Sequence, residues 1–232
     1  MPDATADSSE PPPPAGFLNF IDFGCGTGAS IEAARQLLGG RGLGIDISAE
    51  AVARCRAAGL PAETGDLLRY EGRNTALAAT AFDLLPEIGD RADFEQAVAR
   101  MILAARNFVL IQHAYFDADS ALALNGQHIP GHFGKRIRFK PTMADHMALL
   151  LRLAPAHAIC GFAFFGLGEA RSVPLGLENG VADRGSPPAM PELHRSLRVI
   201  IGRKEQDRFR QALRRCKAGR ELFRWEGPDT EP

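Results

Sequence analysis

The chain has 232 residues, 45% of them hydrophobic and 24% charged, a length and balance that suit one domain with a proper buried core. Its 27 Lys and Arg against 28 Asp and Glu leave a net charge of −1, which speaks against nucleic-acid binding by bulk positive charge. Four widely spread cysteines with no CxxC pair offer neither a disulfide framework nor a Cys-type zinc site.

Residues 1–15 are acidic and end in four prolines, a composition expected to form a disordered or polyproline tail. That start has no Lys or Arg, the reverse of a signal peptide. The longest uncharged apolar stretch, Leu153 to Gly168, is 16 residues and is broken by Pro155 and His157, so no membrane span is expected. These features predict a cytoplasmic location, with the oligomeric state left open.

From Gly16 the pattern alternates between strands and helices. Phe17 to Ile21 reads as a buried strand, and Ala29 to Leu38 as a helix with Ile31, Ala34, Leu37 and Leu38 on one face. Gly42 to Ile45 is a second strand, and Ser48 is a ready N-cap for a helix through Ala58. A short third strand leads into Gly65-Asp66, and Thr75 to Ala81 is a weaker fourth. A helix from Asp90 to Leu103 precedes the strand Asn107 to Gln112, and another helix spans Thr142 to Leu153. Two apolar runs, Ala158 to Phe165 and Leu197 to Ile201, flank a Gly- and Pro-rich loop, Pro174 to Pro191. Alternation of this kind implies parallel βαβ units covered on both faces, with an antiparallel finish.

Phe20-Ile21-Asp22-Phe23-Gly24-Cys25-Gly26-Thr27-Gly28 sits where the first strand meets the first helix. Alternate glycines permit a sharp turn and close ligand approach, and the helix offers free N–H groups to a nucleotide-like guest. Gly24, Gly26 and Ala29 also satisfy the dinucleotide fingerprint, and Asp46, 20 residues beyond Gly26, fits a ribose-binding acid in either reading. Asp22 argues against a dinucleotide, because a carboxylate before the glycines would repel a pyrophosphate. With Asp46 and Asp66 it makes three acids on successive strand ends, which suit a cationic ligand bearing an amine.

Residues 20–112 resemble a class I S-adenosylmethionine-dependent methyltransferase. Ile21 to Gly28 is similar to that family's first motif, Gly44-Ile45-Asp46-Ile47-Ser48 to the second and Gly65-Asp66-Leu67 to the third. The resemblance implies a Rossmann-like, mostly parallel seven-stranded α/β sheet in three layers, ordered 3-2-1-4-5-7-6 with one antiparallel strand. It implies S-adenosylmethionine as cofactor, held by the loop of Asp22, Gly24, Gly26 and Gly28. Asp46 would bond the ribose, Ile47 would flank the adenine, and Asp66, followed by Leu67, would face the adenine amine. Ala81 to Asp90 resembles the stretch lining the methyl-transfer site, where Phe82 would flank the cofactor and Asp83 would sit near the substrate. The domain would span residues 16–204, followed by a basic C-terminal helix and tail over 205–232.

The expected activity is O- or N-methylation of a small molecule or polar precursor. A nicotinamide-dependent oxidoreductase and a non-catalytic protein on the same scaffold are the alternatives. His113, after the fifth strand, is the candidate base, with Tyr115 or Asp117 to orient it and His146 as a second candidate. His128, His132 and His146 match no standard metal spacing, so no metal is expected. Residues 117–143 and 174–191 are lid candidates, since long loops in compact domains are usually functional or disordered. From Arg203 to Arg224 there are nine Lys or Arg against three acids, with Phe209, Ala212, Leu213 and Cys216 at helical spacing, so this helix is expected to dock by its apolar face.

Overall fold

A computed structural model describes residues 17–132, 136–174 and 193–227. The expected tail over 1–15 and the loop beyond Pro174 lie outside these residues. The strands β1 (Leu18–Phe23), β2 (Gly42–Asp46), β3 (Ala62–Thr64), β4 (Ala76–Phe82) and β5 (Ala105–Ala114) pair in parallel. The helices α1 (Ala29–Leu38), α2 (Ala49–Ala57) and α3 (Arg91–Ala104) connect them. Beyond β5 come α4 (Asp119–Leu124), β6 (Gln127–His128), α5 (Met143–His157), β7 (Ile159–Glu169), β8 (Val173–Pro174), β9 (His194–Arg203), α6 (Gln206–Cys216) and β10 (Arg220–Glu226).

The main sheet is ordered β10-β7-β9-β5-β4-β1-β2-β3. Within it, β9 inserts antiparallel between β5 and β7, which reproduces the expected 3-2-1-4-5-7-6 order. The sheet has eight strands instead of seven, because β10 adds antiparallel to β7 at the edge. Residues expected as a tail supply that strand: Trp225 stacks on Phe162 at 5.2 Å, and Phe223 does so at 6.1 Å. Such aromatic contacts offset the ordering of a charged segment.

Each strand's two-residue period divides the core in two. Ile21, Phe23, Ala79, Ala81, Val109 and Ile111 face α3 and α5. Phe20, Ala78, Leu110, Ala163 and Ile200 face α1 and α6. On α6, Phe209, Ala212, Leu213 and Cys216 are buried against this second face while the arginines stay outside. Among the described residues, no helix is long and apolar enough to cross a membrane.

Caps set the helix starts. Ser48 Oγ accepts from Ala51 N–H at 3.2 Å, and Asp90 accepts from Ala92 and Asp93. Thr142 and Asp145 form a reciprocal capping box at α5, which satisfies N–H groups that helix geometry leaves unpaired.

Candidate cofactor cleft and acceptor side of the sheet

The turn after β1 runs through three glycines with positive φ: Gly24 (69°), Gly26 (52°) and Gly28 (103°). This left-handed backbone lets the chain double back beneath β2, where Gly24 and Cys25 donate N–H bonds to Ile45 O at 2.7 and 3.2 Å. A Cβ on Gly28 would collide with Leu60, whereas one on Gly26 would meet nothing within 4 Å. The space before Gly26 is open.

Asp22 lies fully buried under this loop and does not line the cleft. Its oxygens accept from Thr80 Oγ1 at 2.6 Å and Ser30 Oγ at 2.5 Å, which ties β1 to β4 and to the first turn of α1. Burial pushes its pKa up to about 6, with the two hydroxyls opposing that shift and Asp46 adding to it. Asp22 therefore supports the loop from behind, whereas the sequence suggested that it would meet the ligand.

Beyond the loop is a cleft of about 270 Å³ at the carboxyl ends of β1, β2 and β3. Gly24, Asp46, Ile47, Asp66 and Leu67 line it, so five of the expected cofactor residues share one wall system. Asp46 accepts backbone N–H bonds from Gly26 and Ser48, each at 2.8 Å, which fixes its carboxylate while a lone pair on each oxygen stays usable. Ile47 is 73% exposed at the rim, an apolar flank for a flat ring. Asp66 accepts from Leu68 N–H at 2.9 Å and caps the turn Leu67–Arg69.

The opposite wall comes from Leu84, Glu87, Ile88 and Gly89. Phe82 and Asp83, expected there, lie elsewhere. Phe82 falls on the alternate side of β4 and packs in the α1 and α6 core. Asp83, with φ of 54°, lines a separate cavity beside Ala114. Strand periodicity explains Phe82, because the cleft opens beside Phe23 and Ile45 on the other face, whereas Asp83 lies past the end of β4, where its positive φ breaks the alternation. Leu84, within the expected stretch Ala81 to Asp90 but not singled out in it, packs over Gly24, where a Cβ would meet it at 2.6 Å. The cleft's titratable lining residues, Asp46, Asp66 and Glu87, are all acids. Such a lining favours a cationic guest over a pyrophosphate.

The candidate bases occupy a different place. His113 and His146 are both fully buried and line neither cavity. On β5 the alternation that buries Val109 and Ile111 carries His113 onto the same face, and α5 lays His146 over it beside Leu149 and Leu150. Their Nε2 atoms are 2.9 Å apart, and His113 Nδ1 lies 2.7 Å from Ala114 O. One neutral arrangement satisfies these contacts: His113 donates to the carbonyl, and His146 donates to His113. Burial pushes the His113 pKa down to about 4 and holds that of His146 well below its usual value. This is a structural pair in the core, because a ring without access cannot take a substrate's proton. Tyr115 is half-buried against the His194 ring at 5.4 Å and lines neither cavity. Asp117 receives Met143 N–H at the start of α5.

The pair predicts a pH dependence of stability. His113 has a folded pKa below the unfolded value, so its contribution is present above about pH 6.5 and is lost as pH falls. Asp22 has the opposite sign: its raised pKa contributes stability at low pH that disappears as pH rises through about 6. The two offset each other on acidification. Asp22→Asn removes the offset, so urea titrations of that variant should show about 1 kcal/mol more loss than wild type between about pH 7 and pH 5. Equal losses in the two proteins would refute the assignment.

The three histidines weighed for a metal do not converge: His132 pairs with Asp119, His146 pairs with His113, and no metal-ligating cluster is found among the described residues. The lid candidate 117–143 contains α4 and β6, and β6 pairs with β8 in a small separate ribbon.

Comparison with known proteins agrees with this geometry. Residues 21–86, which contain the glycine loop and most of the cleft, match the family model of a methyltransferase domain. A SAM-dependent methyltransferase from Archaeoglobus fulgidus superposes with a TM-score of 0.58 at 11% identity, covering 81% of this chain and 87% of that one. The magnesium protoporphyrin IX methyltransferase of Synechocystis PCC 6803, solved with bound SAH, gives 0.52 at 18% identity over 80% and 74% of the two chains. An S-adenosylmethionine-dependent methyltransferase from Mesorhizobium loti gives 0.51 at 19% identity over 82% and 93%. No curated protein matches the sequence.

The fold is thus the Rossmann-like fold of the S-adenosylmethionine-dependent methyltransferases. The segment 21–86, which resembles a methyltransferase domain, includes the glycine loop together with Asp22, Asp46 and Asp66.

Proposed function

We propose that this chain transfers a methyl group from S-adenosylmethionine to an oxygen or nitrogen of a small polar acceptor. The observation that carries the reading is the acid-lined cleft at the ends of β1 to β3, with Asp46 fixed by two backbone N–H groups and Ile47 exposed at its rim. The residues present fit the cofactor: open space before Gly26, acceptors at Asp46 and Asp66, and apolar flanks at Ile47, Leu84 and Ile88. When bound, S-adenosylmethionine supplies an electrophilic methyl group on a sulfonium.

The chain's own part is to hold that cation among carboxylates and to orient the acceptor beside it, since proximity and orientation account for much of such a reaction's acceleration. The acidic lining and the buried Asp22 before the glycines disfavour the nicotinamide alternative. The purified chain, incubated with methyl-labelled S-adenosylmethionine and fractionated small-molecule extract, should yield labelled small product. Label recovered only in hydrolysis products would favour the non-catalytic scaffold reading.

A further inference from the structure

A second cavity of about 530 Å³ opens at the carboxyl ends of β4 and β5 and beside the start of β9. That volume suits a small molecule. Asp83, His132, Arg171 and Arg195 line it, together with Ala114 and Ser196. Two guanidiniums against the one carboxylate of Asp83 make it electropositive, the reverse of the first cleft. No hydrogen bond or ion pair links either guanidinium to another described residue. A planar fork of donors matches a carboxylate in two-pronged geometry.

His132 is set differently from the buried pair. It lines the cavity although only 3% exposed, and its Nδ1 lies 2.7 Å from Asp119 Oδ1. A carboxylate only accepts, so Nδ1 carries a proton, and in the neutral ring the lone pair is on Nε2. Phe116 packs edge-on against the ring at 4.9 Å, and Lys140 Nζ donates to Asp119 Oδ2 at 2.6 Å. Burial would raise the Asp119 pKa, but the bonds from His132 and Lys140 hold it below the usual carboxylate range. Asp119 is therefore an anion that fixes the tautomer of a cavity-lining imidazole.

We infer that this cavity takes a carboxylate-bearing hydroxy compound as the methyl acceptor, with Arg171 and Arg195 holding its carboxylate and His132 receiving its hydroxyl proton. The inference rests on the methyltransferase reading and narrows its acceptor class. In the proton step an O–H bond breaks, an N–H bond forms at Nε2, and the electron pair stays on the oxygen. The imidazolium so formed faces Asp119, which acts as a positioning residue.

The test titrates salicylate, lactate and mandelate, and their primary amides, into the full chain saturated with S-adenosylhomocysteine. At least one acid is expected to bind in the millimolar range or better, with its amide about tenfold weaker or more. The Arg171→Ala, Arg195→Ala double variant should lose that preference while its S-adenosylhomocysteine affinity is unchanged. Equal binding of acids and amides overturns the inference, as does a preference that survives in the double variant or the failure of every acid to bind. Failure of S-adenosylhomocysteine itself to bind instead overturns the methyltransferase reading. Nitrogen chemical shifts of His132 should report the Nδ1–H tautomer in wild type and a shifted population in Asp119→Asn. An Nε2–H tautomer in wild type removes His132 as the base.

Discussion

Asp46→Ala should weaken S-adenosylhomocysteine binding about 100-fold while the protein remains folded. The carboxylate holds the glycine loop to β2 through Gly26 N–H and holds Ser48 N–H through its other oxygen. It also lines the cleft, where its remaining lone pairs would receive ribose hydroxyls. Hydrogen bonds to a charged group contribute about 1.5–3 kcal/mol each, so losing even two of them with the ligand gives an effect of this size. Asp46→Asn keeps one acceptor oxygen and should fall between wild type and Asp46→Ala. Calorimetric titration of the three proteins measures the series. An unchanged affinity in Asp46→Ala would place the ligand elsewhere.

Gly28→Val should destabilise the fold by about 3 kcal/mol. Two costs combine. A φ of 103° is strained for any residue with a Cβ, and that Cβ would collide with Leu60 and come within 3.3 Å of Cys55 Sγ. Overpacking of a filled core typically costs about 1–3 kcal/mol, and left-handed backbone adds about 1–2. Gly26→Ala is the control. Its φ of 52° lies in the left-handed well, and its Cβ would meet no neighbour, so its stability should fall by only about 1 kcal/mol. Urea midpoints for the two variants separate the effects. Similar losses would mean that backbone strain alone governs the loop.

What could be read from the sequence divides along physical lines. The helix Ala29–Leu38, the cap at Ser48 and the acids following β2 and β3 are local features, set by periodicity, capping chemistry and glycine turns. The central strand order followed from the family resemblance, and the structure contains it. Strand β10 was missed because Arg220–Glu226 carries four charges, and its pairing with β7 depends on aromatic partners distant in sequence.

The faces of individual strands are legible in the sequence. Counting by two from Val109 and Ile111 puts His113 in the core, and counting by two from Ala78 puts Phe82 on the face away from the cleft. The Asp119–His132 pairing joins residues 13 apart across a short helix, a two-residue strand and the turns between them, so no single periodicity connects the two. Its only sequence signal was a histidine in a long loop at the ligand edge, and that histidine was weighed as a metal ligand instead.

The cofactor reading is tested most directly by calorimetric titration of the purified chain with S-adenosylhomocysteine, with NADH as the parallel ligand. Saturable micromolar binding of S-adenosylhomocysteine, with no heat from NADH, is the expected result. Binding of NADH alone, or of neither ligand, would contradict the assignment of the acid-lined cleft.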